Sequence, residues 1–520
     1  MSFLVRQPWR DAERFHRLGL WTGETIPGLI RTHAGRRPEA VAIVEPDRRL
    51  SWAQLLGALE RTAAELGEAG VDRGDAVLVR HRDSADFVVA CAAAHAVEGV
   101  SVPVLLGAGE SEIAAIVERI RTRAYAGPEE SWQCLSGLHR LRLDGAEIWK
   151  PGAAAGDRYR PDPDALMEVM FTSGTTGVPK GAMNSANTKL SGLRGFLSTI
   201  DAGADDVWGV LAPMAHNAGW LYSYLPALYT GARAVLVGRG DPERMLDTLV
   251  REQVTIAFMV PTHGYDLMNA WKSEPGRWPL RLRYVITGAA ACPPGLIADM
   301  RSRWGAQPIS MYGMTECQGN LLTRPADPLE VVASSVGRPC PGAEVALRSP
   351  LDGKMVTGDG AQGEVVTRGA TVFLGYYDDQ PATAAAFTKD GWLRSGDLGQ
   401  YLGENIRIVG RIKDVILRGA ATILPDDVEQ AIIGCPGVDQ VAVVGVPDER
   451  LGEIVCACLV GSAGLDAVRA HLERAGVGRK LWPDAVVQLD ELPRTGVGKV
   501  QRGVLAELAV GRVESSAPPT

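Results

Sequence analysis

The sequence predicts an α/β protein in which helices cover sheets of parallel strands. Short runs rich in β-branched residues, which are typical of buried strands, recur along the chain. They are AVLVR (Ala76–Arg80), RAVLVG (Arg233–Gly238), YVIT (Tyr284–Thr287) and VAVVGV (Val441–Val446). Helical patterns separate these runs, and that alternation favours layers of helices and parallel sheets. The 520 residues, of which 46% are hydrophobic, exceed one ordinary domain, so we expect two or more domains.

A well-defined helix is predicted after Ser51. Ser51 and Gln54 have the spacing of a capping box, in which each side chain accepts a hydrogen bond from the backbone N–H of the other residue. Apolar residues then recur at helical spacing until Gly70, namely Trp52, Leu55, Leu56, Leu59, Ala63 and Leu66. The next apolar region, Phe87 to Gly109, predicts a helix followed by a short strand. Polar residues, glycine and proline interrupt it, so it does not predict a membrane span.

Charge and cysteine usage exclude several classes of function. The chain has 54 basic and 62 acidic residues, a net charge of −8 and no long basic block, which argues against a nucleic-acid partner. The eight cysteines form no C-x-x-C pair and no zinc-binding pattern. Cys456 and Cys458 are predicted to share one face of a strand. The first fifteen residues lack the apolar core of a signal peptide. We therefore expect a cytoplasmic protein with reduced thiols and no membrane contact.

The stretch Phe171–Gly181, FTSGTTGVPKG, is the most informative part of the chain. Its glycines let the backbone approach a ligand closely and leave N–H groups free to face an anion. Its hydroxyls add donors, and Lys180 adds a point charge suited to phosphate. The spacing differs from the Walker motif, because Gly177 precedes Lys180 by three residues and Gly181 follows it. A flexible surface loop is the alternative interpretation, and a polyphosphate site is the prediction.

This stretch resembles the phosphate loop of the adenylate-forming superfamily, which includes acyl- and aryl-CoA synthetases, peptide-synthetase adenylation domains and luciferase. The later signatures of that family follow in order as MYGMTE (Met311–Glu316), GEVVTRG (Gly363–Gly369), GWLRSGDLG (Gly391–Gly399), GRIKD (Gly410–Asp414) and PRTGVGK (Pro493–Lys499). The resemblance implies a large N-terminal domain of layered α/β sheets, residues 1–411. It also implies a small mobile α+β domain, residues 412–520, with the interdomain hinge at Lys413.

The reaction implied by the resemblance is ATP-dependent activation of a carboxylic acid. The carboxylate attacks the α-phosphorus of ATP and releases pyrophosphate, and a thiol then displaces AMP from the acyl-adenylate. The first step needs charge neutralisation around the triphosphate, a ligand for Mg²⁺ and in-line positioning. The implied phosphate-binding residues are Thr172, Ser173, Gly174, Thr175, Thr176, Gly177 and Lys180.

Other implied residues surround the rest of the nucleotide. Tyr312 is expected near adenine, Thr315 at the α-phosphate and Glu316 on Mg²⁺, an ion that prefers hard oxygen ligands. Asp397 matches the acceptor of the ribose hydroxyls, and Arg411 matches a second ribose contact. Lys499 matches the mobile lysine that stabilises the charge developing during adenylation. Its delivery would depend on closure of the small domain.

The acid pocket is implied by two further matches. Gly288, Ala289 and Ala290 match a turn of small residues beside the bound acid, and His216 lies in the motif next to the acyl site. The Ala-His-Asn form of that motif is similar to the branch that activates aryl acids, in which the residue matching Asn217 reads a ring substituent. Other stretches, including Pro447–Glu453, look more like CoA ligases for benzoate-like or cyclic acids.

Trp220, Tyr222 and Tyr224 follow the His216 motif and could line an aromatic pocket. At this spacing Trp220 and Tyr224 share one helix face, so core packing is the preferred interpretation.

The chain departs from the family where the acceptor is handled. CoA ligases usually read G-G-E-N after the hinge, whereas this chain has alanine at 420 and 421. A Cβ at residue 420 narrows the path of the thiol. CoA is the leading acceptor, and the alternatives are the phosphopantetheine arm of a carrier protein or a small nucleophile such as an amine or nitrite. A non-catalytic protein on this fold should lack Lys499, Glu316 or Asp397, and all three are present.

Overall fold

The computed structural model describes residues 8–143, 146–151, 160–172, 180–419, 421–448, 450–494 and 500–516. Several residues named above lie outside these ranges, namely Ser173, Gly174, Thr175, Thr176, Gly177, Ala420 and Lys499.

Within the described ranges the chain forms fifteen α-helices. They are α1 (Pro8–Arg17), α2 (Ile26–Arg36), α3 (Trp52–Glu68), α4 (Ala85–Ala96), α5 (Glu110–Arg119), α6 (Ala186–Leu197), α7 (Leu225–Thr230), α8 (Pro242–Arg251), α9 (Pro261–Ser273), α10 (Pro294–Trp304), α11 (Leu329–Ser334), α12 (Gln380–Ala386), α13 (Pro425–Ile432), α14 (Leu465–Arg474) and α15 (Arg502–Ser516).

The same ranges contain twenty-six strands. They are β1 (Val41–Val44), β2 (Arg49–Ser51), β3 (Ala76–Val79), β4 (Val100–Pro103), β5 (Thr122–Ala126), β6 (His139–Arg140), β7 (Leu166–Thr172), β8 (Lys180–Ser185), β9 (Val207–Val210), β10 (Arg233–Leu236), β11 (Ile256–Met259), β12 (Tyr284–Thr287), β13 (Gln307–Met314), β14 (Gln318–Leu322), β15 (Arg338–Pro339), β16 (Ala343–Arg348), β17 (Met355–Val356), β18 (Gln362–Gly369), β19 (Gly375–Tyr376), β20 (Leu393–Leu402), β21 (Asn405–Arg411), β22 (Ile416–Arg418), β23 (Ala421–Ile423), β24 (Val438–Asp448), β25 (Gly452–Gly461) and β26 (Ala485–Gln488).

The chain divides into two compact units. The first comprises residues 1–345 and 366–394, and the second comprises residues 346–365 and 395–520. The chain therefore passes from one unit to the other three times, after residues 345, 365 and 394. The functional boundary at residues 411 and 412, with its hinge at Lys413, remains a prediction.

The first unit contains two large sheets with parallel centres. One has the order β15-β14-β13-β12-β11-β9-β10-β1-β2, and its strands from β13 to β1 pair in parallel. The other has the order β19-β8-β7-β4-β3-β5-β6, and its strands from β7 to β6 pair in parallel. The parallel sheets predicted from the runs at residues 76–80, 233–238 and 284–287 are confirmed.

Helices cover both faces of these sheets. The largest apolar cluster joins side chains of both sheets to helices α2, α3, α4 and α6, which lie between them. A second cluster packs α8, α9 and α10 against the outer face of the first sheet, and a third packs α5 against the outer face of the other. Layers of this kind hold the ends of the strands in fixed positions, and those ends carry the predicted site residues.

The second unit is built mainly from antiparallel strands. One sheet has the order β17-β16-β18-β20-β21, and another is formed by β22 to β26 with helices α13, α14 and α15. The run VAVVGV lies in β24, which pairs antiparallel with β25, so the expectation of a parallel sheet was wrong here. Only three residues separate these two strands. Such a connection allows a hairpin, whereas parallel neighbours need a long crossover.

Local predictions agree with the structure. The capping box of Ser51 and Gln54 is present at the start of α3, and the region after Phe87 forms α4 followed by β4. Cys456 and Cys458 are both fully buried in the same apolar cluster, and all eight cysteines are free. Among the described residues, no helix combines the length and the apolar composition needed to cross a bilayer.

Candidate active site

The predicted magnesium ligand Glu316 lies in the turn between β13 and β14. These strands pair antiparallel, and Tyr312 and Thr315 are half-buried near the same turn. The side chain of Glu316 is 7% exposed, and its Oε1 accepts a hydrogen bond of 2.8 Å from the hydroxyl of Tyr376. Burial, and then the negative charge of Glu316, raise the pKa of Tyr376. Tyr376 therefore stays protonated and holds the carboxylate in one orientation.

Lys180 lies on the other side of Tyr376. It begins β8, pairs with Thr172 at the end of β7, and so closes the ladder from which the predicted phosphate loop extends. Tyr376 pairs with Ala182 of β8, and the Nζ atom of Lys180 lies 5.2 Å from the centre of the Tyr376 ring. One tyrosine thus joins Lys180, the lysine of the predicted phosphate loop, to the predicted magnesium ligand. Tyr376 could not be selected from the sequence, because the pairing of β19 with β8 spans almost 200 residues.

His216 and Asn217 occupy a tight turn after β9, and both are half-buried. Gly219 makes this turn possible, because a Cβ there would lie 2.3 Å from the carbonyl oxygens of Ala212 and Pro213. The turn leads into one π-helical turn, Trp220–Tyr224. It therefore presents His216 and Asn217 at the carboxyl end of a central parallel strand, the usual location of ligand sites in α/β sheets.

Asn217 belongs to a buried polar network that sequence reasoning missed. Its Oδ1 accepts a hydrogen bond of 2.7 Å from Lys189, whose side chain is completely buried and paired with Glu168 of β7. Its Nδ2 donates to Gln318, at 3.1 Å, and Gln318 donates to Asn184 of β8, at 2.8 Å. The network connects the turn of His216 and Asn217 to β7 and β8, the strands on either side of the predicted phosphate loop.

The predicted turn of small residues follows β12. Gly288 is buried, and a Cβ there would lie 3.1 Å from the carbonyl oxygen of Met311 and 3.2 Å from the ring of Phe258. Ala289 has a φ of 67°, which is unusual for a residue other than glycine, and Ala289 and Ala290 are exposed. The predicted location of this turn at the end of a strand is confirmed, and its contact with an acid remains a prediction.

The aromatic residues that follow the His216 motif pack in the core, which is the interpretation that their helical spacing favoured. Trp220 and Tyr224 are each 1% exposed and their rings stack with centres 5.3 Å apart. Tyr222 is buried against Phe196 and Phe258, and its hydroxyl accepts a hydrogen bond from the backbone N–H of Gly319. These three side chains anchor the segment after the turn in the largest apolar cluster.

The predicted ribose contacts lie in the second unit. Asp397 of β20 and Arg411 of β21 are paired across the two strands, with 3.1 Å between Nε of Arg411 and Oδ1 of Asp397. Asp397 is 8% exposed, whereas half of the Arg411 side chain is exposed. The predicted hinge residue, Lys413, follows in a single short turn, Ile412–Asp414.

Magnesium fits the chemistry of the Glu316 turn. In the described part of the chain, no group of three acidic, histidine or cysteine side chains could enclose a metal ion. Mg²⁺ rarely needs such a group, because it keeps several waters and takes one or two carboxylates together with phosphate oxygens. A single oriented carboxylate near a phosphate loop is sufficient for that mode of binding.

Comparison with known proteins identifies the family. The sequence profile of the AMP-binding enzymes matches residues 30–377, and that of the AMP-binding enzyme C-terminal domain matches residues 427–499.

Two characterised relatives extend over nearly the whole chain. A 3-[(3aS,4S,7aS)-7a-methyl-1,5-dioxo-octahydro-1H-inden-4-yl]propanoyl:CoA ligase of Rhodococcus jostii (strain RHA1) is 31% identical over 93% of this chain and 98% of its own. A salicylyl-CoA synthase / salicylate adenylyltransferase of a Streptomyces species is 30% identical over 98% of both chains.

A solved structure shows the same fold. The crystal structure of ATP-bound MatB from Rhodopseudomonas palustris superimposes with a TM-score of 0.84, covering 93% of this chain and 99% of its own at 24% identity. At that identity the likeness concerns the fold alone. Together with the profile matches, it confirms a layered α/β protein with a smaller C-terminal domain. The chain therefore belongs to the family of AMP-binding enzymes, and it is an AMP-forming acid–thiol ligase that uses ATP.

Proposed function

We propose that this enzyme adenylates an aryl or cyclic carboxylic acid and transfers the acyl group to the thiol of CoA in the cytoplasm. The observation that carries the proposal is the arrangement around Tyr376. That side chain contacts both Lys180, at the end of the phosphate loop, and the buried carboxylate of Glu316. A cation and an oriented carboxylate at one place suit a triphosphate with its magnesium ion.

Each proposed residue has a separate task in the first half-reaction. Lys180 and the loop from Thr172 to Gly177 would bind the β- and γ-phosphates, and Glu316 would hold Mg²⁺, which neutralises phosphate charge when it is bound. Thr315 would contact the α-phosphate, and Tyr312 would lie near adenine. Catalysis of phosphoryl chemistry rests mainly on positioning and on charge stabilisation, and these residues supply both.

The second unit would supply the remaining groups. Asp397 is an acceptor-only carboxylate that suits the two ribose hydroxyls, and Arg411 is already aligned with it. Lys499 would enter the site by movement about the hinge at Lys413 and stabilise the charge on the transferring group. Removal of one such preorganised donor typically costs roughly 10²–10³ in rate.

The acid class is inferred from the pocket motif and from the relatives. His216, Asn217 and the turn Gly288–Ala290 would surround the acid. The two relatives named above act on a bicyclic propanoate and on salicylate, according to their names. A cyclic or aromatic acid is therefore the proposed substrate.

A carrier protein is the second candidate for the acceptor. The observation that favours it is the departure from G-G-E-N at Gly419–Thr422, which lies where the thiol is expected to approach. Gly419 has a φ of 60°, and strand β23 begins at Ala421. A segment tied into a strand is less free to rearrange around a new ligand.

Mass spectrometry of complete reactions tests the proposal. The protein is incubated with ATP, Mg²⁺ and benzoic, aminobenzoic, cinnamic, cyclic and fatty acids, each with and without CoA. Acyl-CoA formed from an aromatic or cyclic acid is the expected result. Acyl-adenylate or AMP without thioester would refute CoA as the acceptor and favour the carrier protein. Activity with fatty acids alone would refute the proposed acid class.

A further inference from the structure

The buried network around Asn217 has a direction that one residue determines. The Nζ atom of Lys189 is paired with the carboxylate of Glu168 and also lies 2.7 Å from Asn217. A lysine ammonium donates hydrogen bonds and accepts none. The atom of Asn217 that faces Lys189 is therefore its carbonyl oxygen, and the amide cannot rotate by half a turn without placing its NH₂ group against a buried cation.

The direction set at Asn217 continues through two more carboxamides. Because its oxygen faces Lys189, Asn217 directs its NH₂ group to the Oε1 of Gln318 at 3.1 Å. Gln318 in turn donates from Nε2 to the Oδ1 of Asn184 at 2.8 Å. Each amide in this row has its orientation fixed by the one before it. Successive hydrogen bonds of this kind also polarise one another in the same sense.

The row ends at backbone segments that carry the proposed nucleotide contacts. Gln318 has a φ of 60°, a conformation that is costly for a residue with a side chain, and its Nε2 is 3.4 Å from the carbonyl oxygen of Thr315. Gln318 and Asn184 are each about 1% exposed or less. The network therefore fixes the position of the turn of Thr315 and Glu316 relative to the turn of Asn217.

The NH₂ group of Asn217 has more donor capacity than its recorded hydrogen bonds use. Its Nδ2 carries two hydrogens, of which one goes to Gln318, and no acceptor for the other is present among the described residues. Asn217 is half-buried. Its carbonyl oxygen accepts from the fully buried Lys189 and therefore points into the protein interior, so the group that Asn217 offers to a ligand is an N–H donor.

We propose that Lys189 is a positioning residue that fixes Asn217 as a hydrogen-bond donor toward the acid. The proposal rests on the proposed function, which puts the acid next to Asn217. It names the substrate class more closely, as an aromatic or cyclic acid whose substituent near the carboxyl group is a hydrogen-bond acceptor, such as a carbonyl, ether or phenolic oxygen. An acid with a donor at that place, such as an amino group, would meet a second donor and bind poorly.

Removal of the ion pair as a unit tests the proposal. Replacing Lys189 alone would leave the Glu168 carboxylate buried without its partner, which is strongly destabilising, so both residues are changed. E168M/K189M keeps the volume and removes both charges. E168Q/K189Q is the conservative alternative if the first variant does not fold. It also tests the proposal, because a glutamine at 189 can donate or accept a hydrogen bond and no longer fixes the orientation of the Asn217 amide. Lys272→Met, which removes an exposed ion pair with Asp299 in the same unit, is the matched control.

The first measurement is the ratio of kcat/KM for 2-methoxybenzoate to that for 2-aminobenzoate, from acid-dependent exchange of pyrophosphate into ATP. We expect the wild-type enzyme and Lys272→Met to favour the methoxy acid by about tenfold or more, the cost of leaving a buried polar group unpaired. In both variants of the pair the ratio should fall to within about twofold of unity, since Asn217 can then turn. A purely structural lysine would lower both rates and leave the ratio unchanged, and that result would overturn the proposal.

A second measurement separates this proposal from the proposed function. The unfolding equilibrium is measured in denaturant for E168M/K189M, for Asn217→Leu and for the combined variant. Contact between the two sites predicts a coupling of about tenfold in the unfolding constant, as direct neighbours usually show, and a coupling under about twofold would refute the positioning role. No exchange with any acid would instead refute the proposed function, and the unfolding cycle would still test whether Lys189 acts on Asn217.

Discussion

Replacing Tyr376 with phenylalanine should measurably weaken the binding of magnesium during adenylation, so that the enzyme needs a higher Mg²⁺ concentration. The substitution removes one hydroxyl from a side chain that is otherwise retained, and this hydroxyl donates a 2.8 Å hydrogen bond to Glu316. Glu316 is 7% exposed, so little water can replace the lost donor. A hydrogen bond to a charged group is worth about 1.5–3 kcal/mol, which corresponds to roughly 10- to 150-fold in an equilibrium constant.

The effect should be seen in the magnesium requirement. In Tyr376→Phe the carboxylate of Glu316 can leave the orientation that we assign to the magnesium-bound state. We therefore expect the Mg²⁺ concentration for half-maximal pyrophosphate exchange to rise by about tenfold or more at constant ATP. Because burial and the charge of Glu316 raise the pKa of Tyr376, the difference between the two proteins should not change between pH 6 and 9.

A matched control is available in the same unit. The half-buried hydroxyl of Tyr229 donates a 3.1 Å hydrogen bond to Glu24, so Tyr229→Phe removes the same type of contact from another glutamate. That variant should keep the wild-type magnesium curve. If Tyr376→Phe folds normally and gives the same curve as Tyr229→Phe, the assignment of Glu316 as an oriented magnesium ligand is refuted.

Three further predictions concern the other parts of the chain. Lys499→Ala should abolish adenylate formation yet largely keep thiolysis of a supplied adenylate, and equal loss of both half-reactions in separate assays would contradict the mobile-lysine assignment. Asp397→Ala should weaken ATP binding measured by calorimetry, because Arg411 loses its partner and the ribose hydroxyls lose their acceptor. An unchanged affinity for ATP would exclude a contact between Asp397 and the ribose. Burial, and then the charge of Lys189, lower the pKa of His95 to about 3. Below pH 6.5, His95 binds a proton in the unfolded chain but stays neutral in the folded protein. The free energy of unfolding should therefore fall by about 2 kcal/mol between pH 6.5 and pH 5. Denaturant titrations of His95→Gln should show a smaller dependence of this free energy on pH.

Features set by neighbouring residues could be predicted from the sequence. The capping box at Ser51 depends on a residue three positions away, and the buried strands at residues 76–80 and 284–287 depend on runs of four or five residues. The motifs around Lys180 and Glu316 could be recognised for the same reason, since each is a short continuous string, and their roles in binding phosphate and magnesium remain predictions. The direction of β24 could not, because strand pairing depends on the partner as well as on the run itself.

Site residues held by distant partners were not predictable in this way. Tyr376 reaches Glu316 only because β19 pairs with β8, and nothing in its local sequence distinguishes it from Tyr377. Lys189 follows the phosphate loop by nine residues and has the appearance of a solvated helix lysine, yet it is completely buried. A lysine between Thr188 and Leu190 on an apolar helix face was the available signal, because lysine is rarely fully buried unless it is paired.

The buried network also indicates where substrate preference can change in this enzyme. Asn217 is tied through Gln318 to the turn that carries Thr315 and Glu316, so a substitution at Asn217 would disturb the nucleotide side together with the acid side. Among the residues that the structure describes, no side-chain hydrogen bond joins the turn Gly288–Ala290 to the turn of Thr315 and Glu316. Ala289 and Ala290 are small and exposed, and their side chains contribute no hydrogen bonds to the core. If these residues surround the acid as proposed, we expect a change of acid to be accommodated more easily at Ala289 and Ala290 than at Asn217, which is held by Lys189 and Gln318.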